Sequence, residues 1–204
     1  QKKTLNYSVI KNRLNKNIIK PVWCDAQDIT YDDLLIFKIP EYEKNIENLT
    51  EDDCYMYGLI LGDGCMNNRS TNSYLSLNAI TKTHILEFVK SYLENKCIRW
   101  FVDTKNNTNR IKWSKNIILP FRYNDIYDEN KEKKIHTKWL NLPINKIKFI
   151  VKGLIDSDGC KSNNEIVFDT TSRNLLESLR YLLLRMGIPT SGYIRDRRGE
   201  KHTT

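Results

Sequence analysis

The sequence lacks any apolar run long enough to cross a membrane. A spanning helix needs about 20 mostly apolar residues in a row, and the 204 residues contain no such stretch. The N-terminus is rich in lysine and asparagine and has no apolar core of the kind found in signal peptides. We therefore expect no membrane association and an intracellular location, in the cytoplasm or nucleus.

Cysteine and histidine occur in no arrangement typical of a zinc or disulfide site. The five cysteines stand at Cys24, Cys54, Cys65, Cys97 and Cys160. Their number is odd, no Cys-x-x-Cys pair occurs, and the spacing matches no zinc motif. The histidines, at positions 84, 136 and 202, are scattered. These patterns predict free thiols in a reducing compartment and give no sign of a zinc finger or a histidine-based nucleophilic site.

The charge balance favours an anionic partner. Lysine and arginine number 33 against 25 aspartate and glutamate residues, which gives a formal charge of +8. Such an excess is typical of proteins that bind nucleic acid, although a merely basic protein has the same signature. Hydrophobic residues make up 40% of the chain, enough for a core. The length predicts one medium domain or two small ones.

One short phrase occurs twice, 95 positions apart. The stretch 58–65 reads GLILGDGC, and 153–160 reads GLIDSDGC. The match continues downstream, where Leu86-Glu87 corresponds to Leu176-Glu177 at an offset of 90. A repeat of this kind sets the architecture. Each copy predicts an acid-bearing helix, a strand pair, a second helix and then more strand.

The repeated phrase predicts two helices that pack closely. Gly58 and Gly153 each cost roughly 1 kcal/mol relative to alanine inside a helix, so their matched occurrence indicates close backbone approach. Gly62 and Ser157 extend the small-residue face by one turn. We therefore expect these four residues to line the interface between the helices.

Local signals predict where these two helices begin and end. Thr50 with Asp53 resembles a capping box, and Asn145, after Pro143, is a candidate N-cap. Gly64 and Gly159 are expected to end the helices in a left-handed conformation.

The C-terminal ends of the two predicted helices carry a matched pair of aspartates. Asp63 and Asp158 would lie side by side at two helix C-termini, where the helix dipole is already negative. Two carboxylates there repel each other unless a cation lies between them, and hard oxygen ligands favour Mg²⁺. In a basic protein this arrangement indicates metal-assisted cleavage of a phosphodiester. The alternative is that both aspartates are ordinary solvated residues.

These residues resemble the LAGLIDADG homing endonucleases, particularly those carried within inteins. Residues 56–64 and 151–159 align with the nine-residue motif, and residues 166–176 and 182–188 look like the family's continuation. Leu61 replaces the usual sixth-position aspartate. The resemblance implies an α+β fold of two pseudo-symmetric half-domains, whose antiparallel sheets form a DNA-binding saddle and whose motif helices form the central seam.

The resemblance also divides the chain into three parts. Residues 1–47 look like an intein-derived β region, in which short strands are expected within 18–40. Residues 48–142 would form the first half-domain. Residues 143–204 would form the second, which lacks its C-terminal part relative to the first.

The activity implied by the resemblance is site-specific double-strand DNA cleavage at a long asymmetric target. Asp63 and Asp158 would be catalytic acids and, with Gly62 and Ser157, would hold two or more Mg²⁺ ions, for which Mn²⁺ can substitute. Lys133 matches the family's lysine beside the metals, with Lys134 as the alternative. The partner would be double-stranded DNA, bound by a monomer with internal pseudo-two-fold symmetry.

Strand alternation supplies candidates for DNA contact. Residues 73–80 and 110–114 alternate polar and apolar side chains, and a two-stranded ribbon fits the major groove. Water is the alternative partner for these polar faces. The first-copy candidates are Asn67, Asn68, Arg69, Asn72, Ser76, Asn78, Arg110 and Lys112. The second-copy candidates are Lys161, Asn163, Asn164, Glu165, Asp169, Arg195, Arg197 and Arg198.

Two further elements are predicted from local pattern. A helix over Thr83 to Asn95 has a wide apolar stripe, and the asparagine-rich stretch 106–109 indicates a hairpin turn. The chain begins at Gln1 and ends in Lys201-His202-Thr203-Thr204, so we expect that it cannot splice as written. The alternatives to an active endonuclease are an inactive LAGLIDADG nucleic-acid-binding protein or maturase, and part of a protein-splicing intein.

Overall fold

The chain forms two compact units, residues 1–38 and residues 39–204. The structure, a computed structural model, describes residues 7–20, 22–31, 33, 39, 41–68, 73–114, 118–162 and 165–195. The helices are α1 (Tyr7–Asn15), α2 (Glu51–Asp63), α3 (Thr83–Asn95), α4 (Tyr123–Ile126), α5 (Thr137–Leu140), α6 (Ile144–Asp158) and α7 (Arg173–Arg185). The strands are β1 (Gly64–Cys65), β2 (Ser73–Asn78), β3 (Trp100–Lys105), β4 (Thr108–Trp113), β5 (Gly159–Ser162) and β6 (Glu165–Phe168).

The first unit differs from the sequence prediction. Helix α1 was not foreseen, and the described residues between 18 and 33 contain a 3-10 turn at Ala26–Asp28 but no strand. The short strands predicted within 18–40 are therefore absent from the part of that stretch that is described. Trp23 and Tyr31 are fully exposed. An isolated strand is not stable without a paired neighbour and a buried face. The exposed side chains of Trp23 and Tyr31 provide no such face.

Helix α2 begins as predicted. Thr50 is its N-cap, and the Thr50 hydroxyl accepts from the Asp53 N–H while the Asp53 carboxylate accepts from the Thr50 N–H. Asp53 is buried and also accepts from the Tyr92 hydroxyl at 2.6 Å and from the Lys96 ammonium at 2.8 Å. The capping residue thus also joins α2 to α3.

Helix α6 begins two residues earlier than predicted. The N-cap is Pro143, not Asn145, and the N–H groups of Lys146 and Ile147 donate to the Pro143 carbonyl. Proline suits this position because it has no N–H of its own to satisfy and its ring fixes φ at about −65°, close to the −55° of Pro143. Asn145 lies inside the helix.

The prediction that Gly64 and Gly159 end their helices in a left-handed conformation is wrong. Their φ angles are −91° and −78°, in the extended region. Both residues lead directly into a strand that folds back on its helix, so a Cβ on Gly64 would lie 2.5 Å from Ile60 Cα and one on Gly159 would lie 2.5 Å from the Ile155 carbonyl oxygen. Glycine is needed here for close packing rather than for backbone freedom.

Helices α2 and α6 form the central seam through their small residues, as predicted. A Cβ on Gly58 would lie 2.2 Å from the Ile150 carbonyl oxygen, and one on Gly153 would lie 2.3 Å from that of Tyr55. One turn further on, Gly62 lies against Ser157. Side chains larger than hydrogen at the two central positions would push the helices apart.

The first copy of the repeat carries a four-stranded antiparallel sheet in the order β1-β2-β4-β3. Its inner face buries Leu75, Leu77 and Ile111. The turn between β3 and β4 is the predicted one, and Asn106 and Asn107 have φ angles of 49° and 57°. Asparagine tolerates this left-handed region, which a two-residue hairpin turn requires.

In the second copy, the described residues contain a two-stranded antiparallel sheet, β5 with β6. Helix α7 packs against α6 and α5. Its buried Arg185 donates to the carbonyl oxygens of Leu140 and Leu142 at 2.6 and 2.8 Å. These bonds fasten the helix to the segment that leads into α6.

We predict that Gly58→Ala lowers the free energy of unfolding by about 1–3 kcal/mol, the usual cost of overpacking a core. Helix propensity alone predicts a gain of roughly 1 kcal/mol, so the sign of the change tests the seam. Denaturant unfolding gives the free energy. Gly192→Ala is the matched control, because a Cβ there meets nothing within 4 Å. Equal stability of the two variants would contradict the close approach.

We predict that Asp53→Asn lowers stability by about 2–4 kcal/mol at pH 7, because buried donors lose a charged acceptor. Burial acts to raise the pKa of Asp53, but hydrogen bonds from Lys96, Tyr92 and Thr50 outweigh it and hold the pKa below the ordinary 3.8. The stabilisation is therefore complete above pH 3.8 and is lost as pH falls through the lower folded-state pKa. Unfolding measured against pH should show the deficit shrinking only below pH 3.8.

Candidate functional site

The two predicted acids meet at the end of the seam. Asp63 is the last residue of α2 and Asp158 the last of α6, and their carboxyl groups interact directly. Partial burial and then the negative charge of Asp63 raise the pKa of Asp158, although part of that residue remains exposed to solvent. The helix ends thus bring together the unfavourable pair of like charges that the sequence predicts.

Two lysine ammonium groups lie beside this pair of acids. The Lys82 Nζ is 2.5 Å from Asp63 Oδ2 and also donates to the Ser157 carbonyl oxygen. The Lys133 Nζ donates to the Gly62 carbonyl oxygen. Gly62 and Ser157 hold matched positions in the repeat, so each ammonium binds the carbonyl that precedes one of the two acids.

The structure favours Lys133 over the alternative Lys134. Lys133 is partly buried, and burial lowers its pKa while the charges of Asp158 and Asp63 oppose that change. Its carbonyl accepts from the Ser172 hydroxyl at 2.6 Å, which fixes the backbone at this point. Lys134 instead contributes its charge near Asp128.

Lys82 was missed by sequence reasoning. It lies between β2 and α3, outside both motifs, and the repeat aligns it with Ser172 at the offset of 90. Nothing in either motif marks it. Only the folded chain brings the start of α3 to the ends of α2 and α6, so the position of Lys82 depends on tertiary structure.

The outer face of the first sheet carries the predicted polar residues. Ser76 and Arg110 are cross-strand partners, and the Arg110 Nε donates to the Ser76 hydroxyl at 3.3 Å. Lys112, on the same face, forms an ion pair with Asp103 at 3.4 Å. Asn78 is exposed at the end of β2, where its side chain accepts from the N–H groups of the following turn.

Two aromatic residues on this face were not predicted. The Arg110 guanidinium lies 4.8 Å from the centre of the Tyr74 ring, and the Lys112 ammonium lies 5.1 Å from that of Phe101. Phe101 is half exposed. A sheet face that combines cations with accessible rings suits contact with phosphates and bases.

The remaining DNA-contact candidates are dispersed. Asn67 and Asn68 are exposed just after β1, Lys161 is exposed on β5, and Glu165, Asp169 and Arg195 are exposed in the second copy. Among the described candidates, those on β2 and β4 share one face of the first sheet, and Lys161 and Glu165 lie on the paired strands β5 and β6. Arg69, Asn72, Asn163, Asn164, Arg197 and Arg198 lie outside the described residues.

The oxygen atoms at the seam fit a hard divalent cation. Two carboxylates and the carbonyl oxygens of Gly62 and Ser157 converge there, and Mg²⁺ is normally held by one or two carboxylates together with waters and phosphate oxygens. Within the described ranges no group of three or more histidine, cysteine, aspartate or glutamate side chains is arranged to hold a metal.

Those same ranges contain no helix long and apolar enough to cross a membrane.

Comparison with known proteins agrees with this geometry. Residues 146–204 match the family model described as a LAGLIDADG-like domain. The ATP-dependent DNA helicase Hel308 of Methanocaldococcus jannaschii is 27% identical over 82% of this chain, and a DNA polymerase of Acanthamoeba polyphaga mimivirus is 26% identical over 89%. The chain spans only 14% and 11% of the lengths of these two relatives.

Solved structures show the same fold. The homing endonuclease I-DmoI in complex with DNA and Mn superposes with a TM-score of 0.57 at 16% identity, covering 74% of this chain and 86% of that one. Its complex with DNA and Ca gives 0.57 at 16% identity, covering 74% and 80%. The α+β fold with two acid-bearing helices at its seam is thus that of a homing endonuclease. The family match itself covers residues 146–204, the part of the chain from α6 onward.

We predict that Asp158→Asn stabilises the protein in metal-free buffer at pH 7. A raised folded-state pKa means that ionisation of Asp158 costs stability at pH values above it. The neutral amide avoids that cost, so the melting temperature should rise in the presence of a chelator. The gain should disappear below pH 3.8, the ordinary value, where the wild-type carboxyl is protonated in both states. A lower melting temperature at pH 7 would contradict this electrostatic picture.

Proposed function

We propose that the protein is a site-specific endonuclease that cuts both strands of DNA at a long asymmetric target with the help of Mg²⁺. The observation that carries the proposal is the meeting of Asp63 and Asp158 at the end of the α2–α6 seam, each preceded by a carbonyl oxygen that accepts from a lysine ammonium. An acid pair built from two halves of a repeat suits a substrate with two strands to be cut.

The residues at the seam would hold the metal. Asp63, Asp158 and the carbonyl oxygens of Gly62 and Ser157 supply the hard ligands, and bound Mg²⁺, for which Mn²⁺ can substitute, would activate water and stabilise the charge of the leaving oxygen. The shared position of the acids at two helix ends requires the seam to remain closed. Gly58 and Gly153 secure this by allowing the backbones to touch.

The chain's own cations would bind the phosphate group. Lys133 is held by its backbone beside the acid pair, where its ammonium can neutralise phosphate charge. Lys82 lies next to Asp63 and also contacts the Ser157 carbonyl oxygen at the end of α6. Both side chains carry positive charge into a site that DNA phosphates must reach.

The outer face of the first sheet would position the DNA. Arg110 and Lys112 supply charge, Ser76 and Asn78 supply hydrogen-bonding groups, and Tyr74 supplies a ring. Phosphate contacts fix the register of a protein on DNA, whereas contacts to base edges read its sequence. The pseudo-two-fold repeat supports a monomer with one such face from each half, and the halves differ enough to favour an asymmetric target.

An association with an intein is supported by the relatives. A helicase and a DNA polymerase have different activities, yet each matches this chain over a short segment of a much longer protein. A module shared by otherwise different proteins has the distribution of an inserted element. This supports the view that the chain derives from an endonuclease carried inside host proteins.

We predict that Asp63→Asn and Asp158→Asn each abolish cleavage while DNA binding persists, because only the metal ligands are lost. The target is first found by digesting a random DNA library with wild-type protein and Mg²⁺ and sequencing the cut ends. Cleavage and binding of that target are then measured separately. Binding should weaken with salt at a log–log slope of about −0.9 per phosphate neutralised.

Asp156→Asn is the matched control for this test. It makes the same substitution in the second motif, but Asp156 accepts from the Tyr55 hydroxyl at 2.7 Å and from Lys152 instead of joining the acid pair. The first copy has Leu61 at the same motif position. Retained cutting by either Asp63→Asn or Asp158→Asn would refute the assignment, as would failure of the wild-type protein to cut any sequence.

A further inference from the structure

We propose that the Lys82 ammonium is a built-in counterion that occupies the metal-binding oxygens in the metal-free protein and must leave when a divalent cation binds. This inference rests on the proposed function, since it concerns the same oxygen atoms. It assigns to Lys82 a competitive role at the site. Without metal, the ammonium balances the negative charge of the acids, and its competition sets how tightly the metal binds.

The contacts of Lys82 carry the proposal. Its Nζ bonds at once to Asp63 Oδ2 on α2 and to the Ser157 carbonyl oxygen on α6. These are two of the four oxygens expected to hold the metal, one from each motif helix. A cation of single charge therefore already bridges the two helices at the point where a divalent ion would bridge them.

Electrostatics makes the two cations mutually exclusive. Two positive charges within a few ångströms repel strongly in a partly buried site, and both would use the same lone pairs. Without any cation, the helix dipoles and two carboxylates would place only negative charge at the seam. Lys133 contacts the Gly62 carbonyl oxygen of α2, whereas Lys82 contacts an oxygen of each helix, so Lys82 supplies the bridging positive charge until a metal replaces it.

Lys82 is better suited than Lys133 to move. The backbone carbonyl of Lys133 accepts from the Ser172 hydroxyl at 2.6 Å, and the side chain of Lys133 is partly buried. The Lys82 side chain is 23% exposed. Its backbone is fixed at the start of α3, where its N–H donates to the Asn78 carbonyl and its carbonyl accepts from the Leu86 N–H. The side chain can thus swing out without disturbing the helix.

Displacement would leave the ammonium close to the metal and free to meet an anion. A flexible lysine side chain with three donors is a suitable partner for a phosphate oxygen. Metal binding at the seam would then release a positive charge for DNA, so the two ligands would bind cooperatively.

The test measures Ca²⁺ binding to the full chain by calorimetry, together with the melting temperature in chelator and in Ca²⁺. Ca²⁺ serves as the probe because it takes the same hard oxygen ligands. Lys82→Met removes the competing charge but keeps much of the side-chain bulk. We expect its apparent Kd for Ca²⁺ to tighten roughly tenfold, the effect of losing one modest competing interaction, while its melting temperature in chelator falls and Ca²⁺ restores it.

Two further variants separate competition from simple structural damage. Lys82→Arg keeps the positive charge and should bind Ca²⁺ as weakly as the wild type. Lys90→Met is the matched control, because Lys90 lies on α3, the helix that Lys82 caps, and has a similarly exposed side chain at 25%. Its ammonium contacts Glu87 at 2.8 Å and the Trp100 ring at 5.5 Å, and neither partner belongs to the acid pair. It should leave Ca²⁺ affinity unchanged.

The outcomes distinguish this inference from the proposed function. If wild-type protein binds Ca²⁺ and Lys82→Met binds it equally or more weakly, the competitive role of Lys82 is overturned, while the proposed metal-dependent function stands. If neither the wild type nor any variant binds Ca²⁺ at millimolar concentration, the proposed metal-dependent function falls with it. Lys82→Met could fail to fold in chelator. In that case, recovery of the fold on addition of Ca²⁺ supports the inference, and failure to recover overturns it. Lys82→Gln then replaces Lys82→Met in the affinity measurement.

Discussion

The contact between the backbones of α2 and α6 is the constraint on which the rest of the structure depends. Because Gly58 and Gly153 have no side chains, each can lie against a carbonyl oxygen of the opposite helix. The same approach brings the helix ends together one and a half turns later, so that Asp63 and Asp158 share one small volume. The pairing of the two acids is therefore a consequence of helix packing, and any change that separates the helices also separates the acids.

This arrangement concentrates negative charge at the C-terminal ends of α2 and α6. Helix C-termini and ionised carboxylates repel one another, and partial burial together with the charge of Asp63 raises the pKa of Asp158. Lys82 and Lys133 offset it by donating to matched carbonyl oxygens. The two lysines come from unrelated parts of the chain, one before α3 and one from the segment between the repeats, yet they meet the seam in a nearly symmetric way.

Sequence reasoning succeeded where the signal is local or duplicated. The capping box at Thr50, the helix Thr83–Asn95 and the turn at Asn106 each depend on a few neighbouring residues, and the repeat itself predicts the seam. Lys82 could not be found in this way, because its role comes from a contact across 75 residues with Ser157. The conformation of Gly64 was mispredicted for a related reason: the strand that follows it, not the glycine, decides how the helix ends.

The central claim is that Asp63 and Asp158 hold one shared cluster of divalent ions. The most direct measurement is anomalous X-ray scattering from a crystal of the protein soaked in Mn²⁺. The account predicts a peak at the end of the seam, within coordination distance of both carboxyl groups and with the Lys82 ammonium withdrawn. A peak bound to only one of the two aspartates, or no peak at the seam while Mn²⁺ occupies other positions, would contradict it.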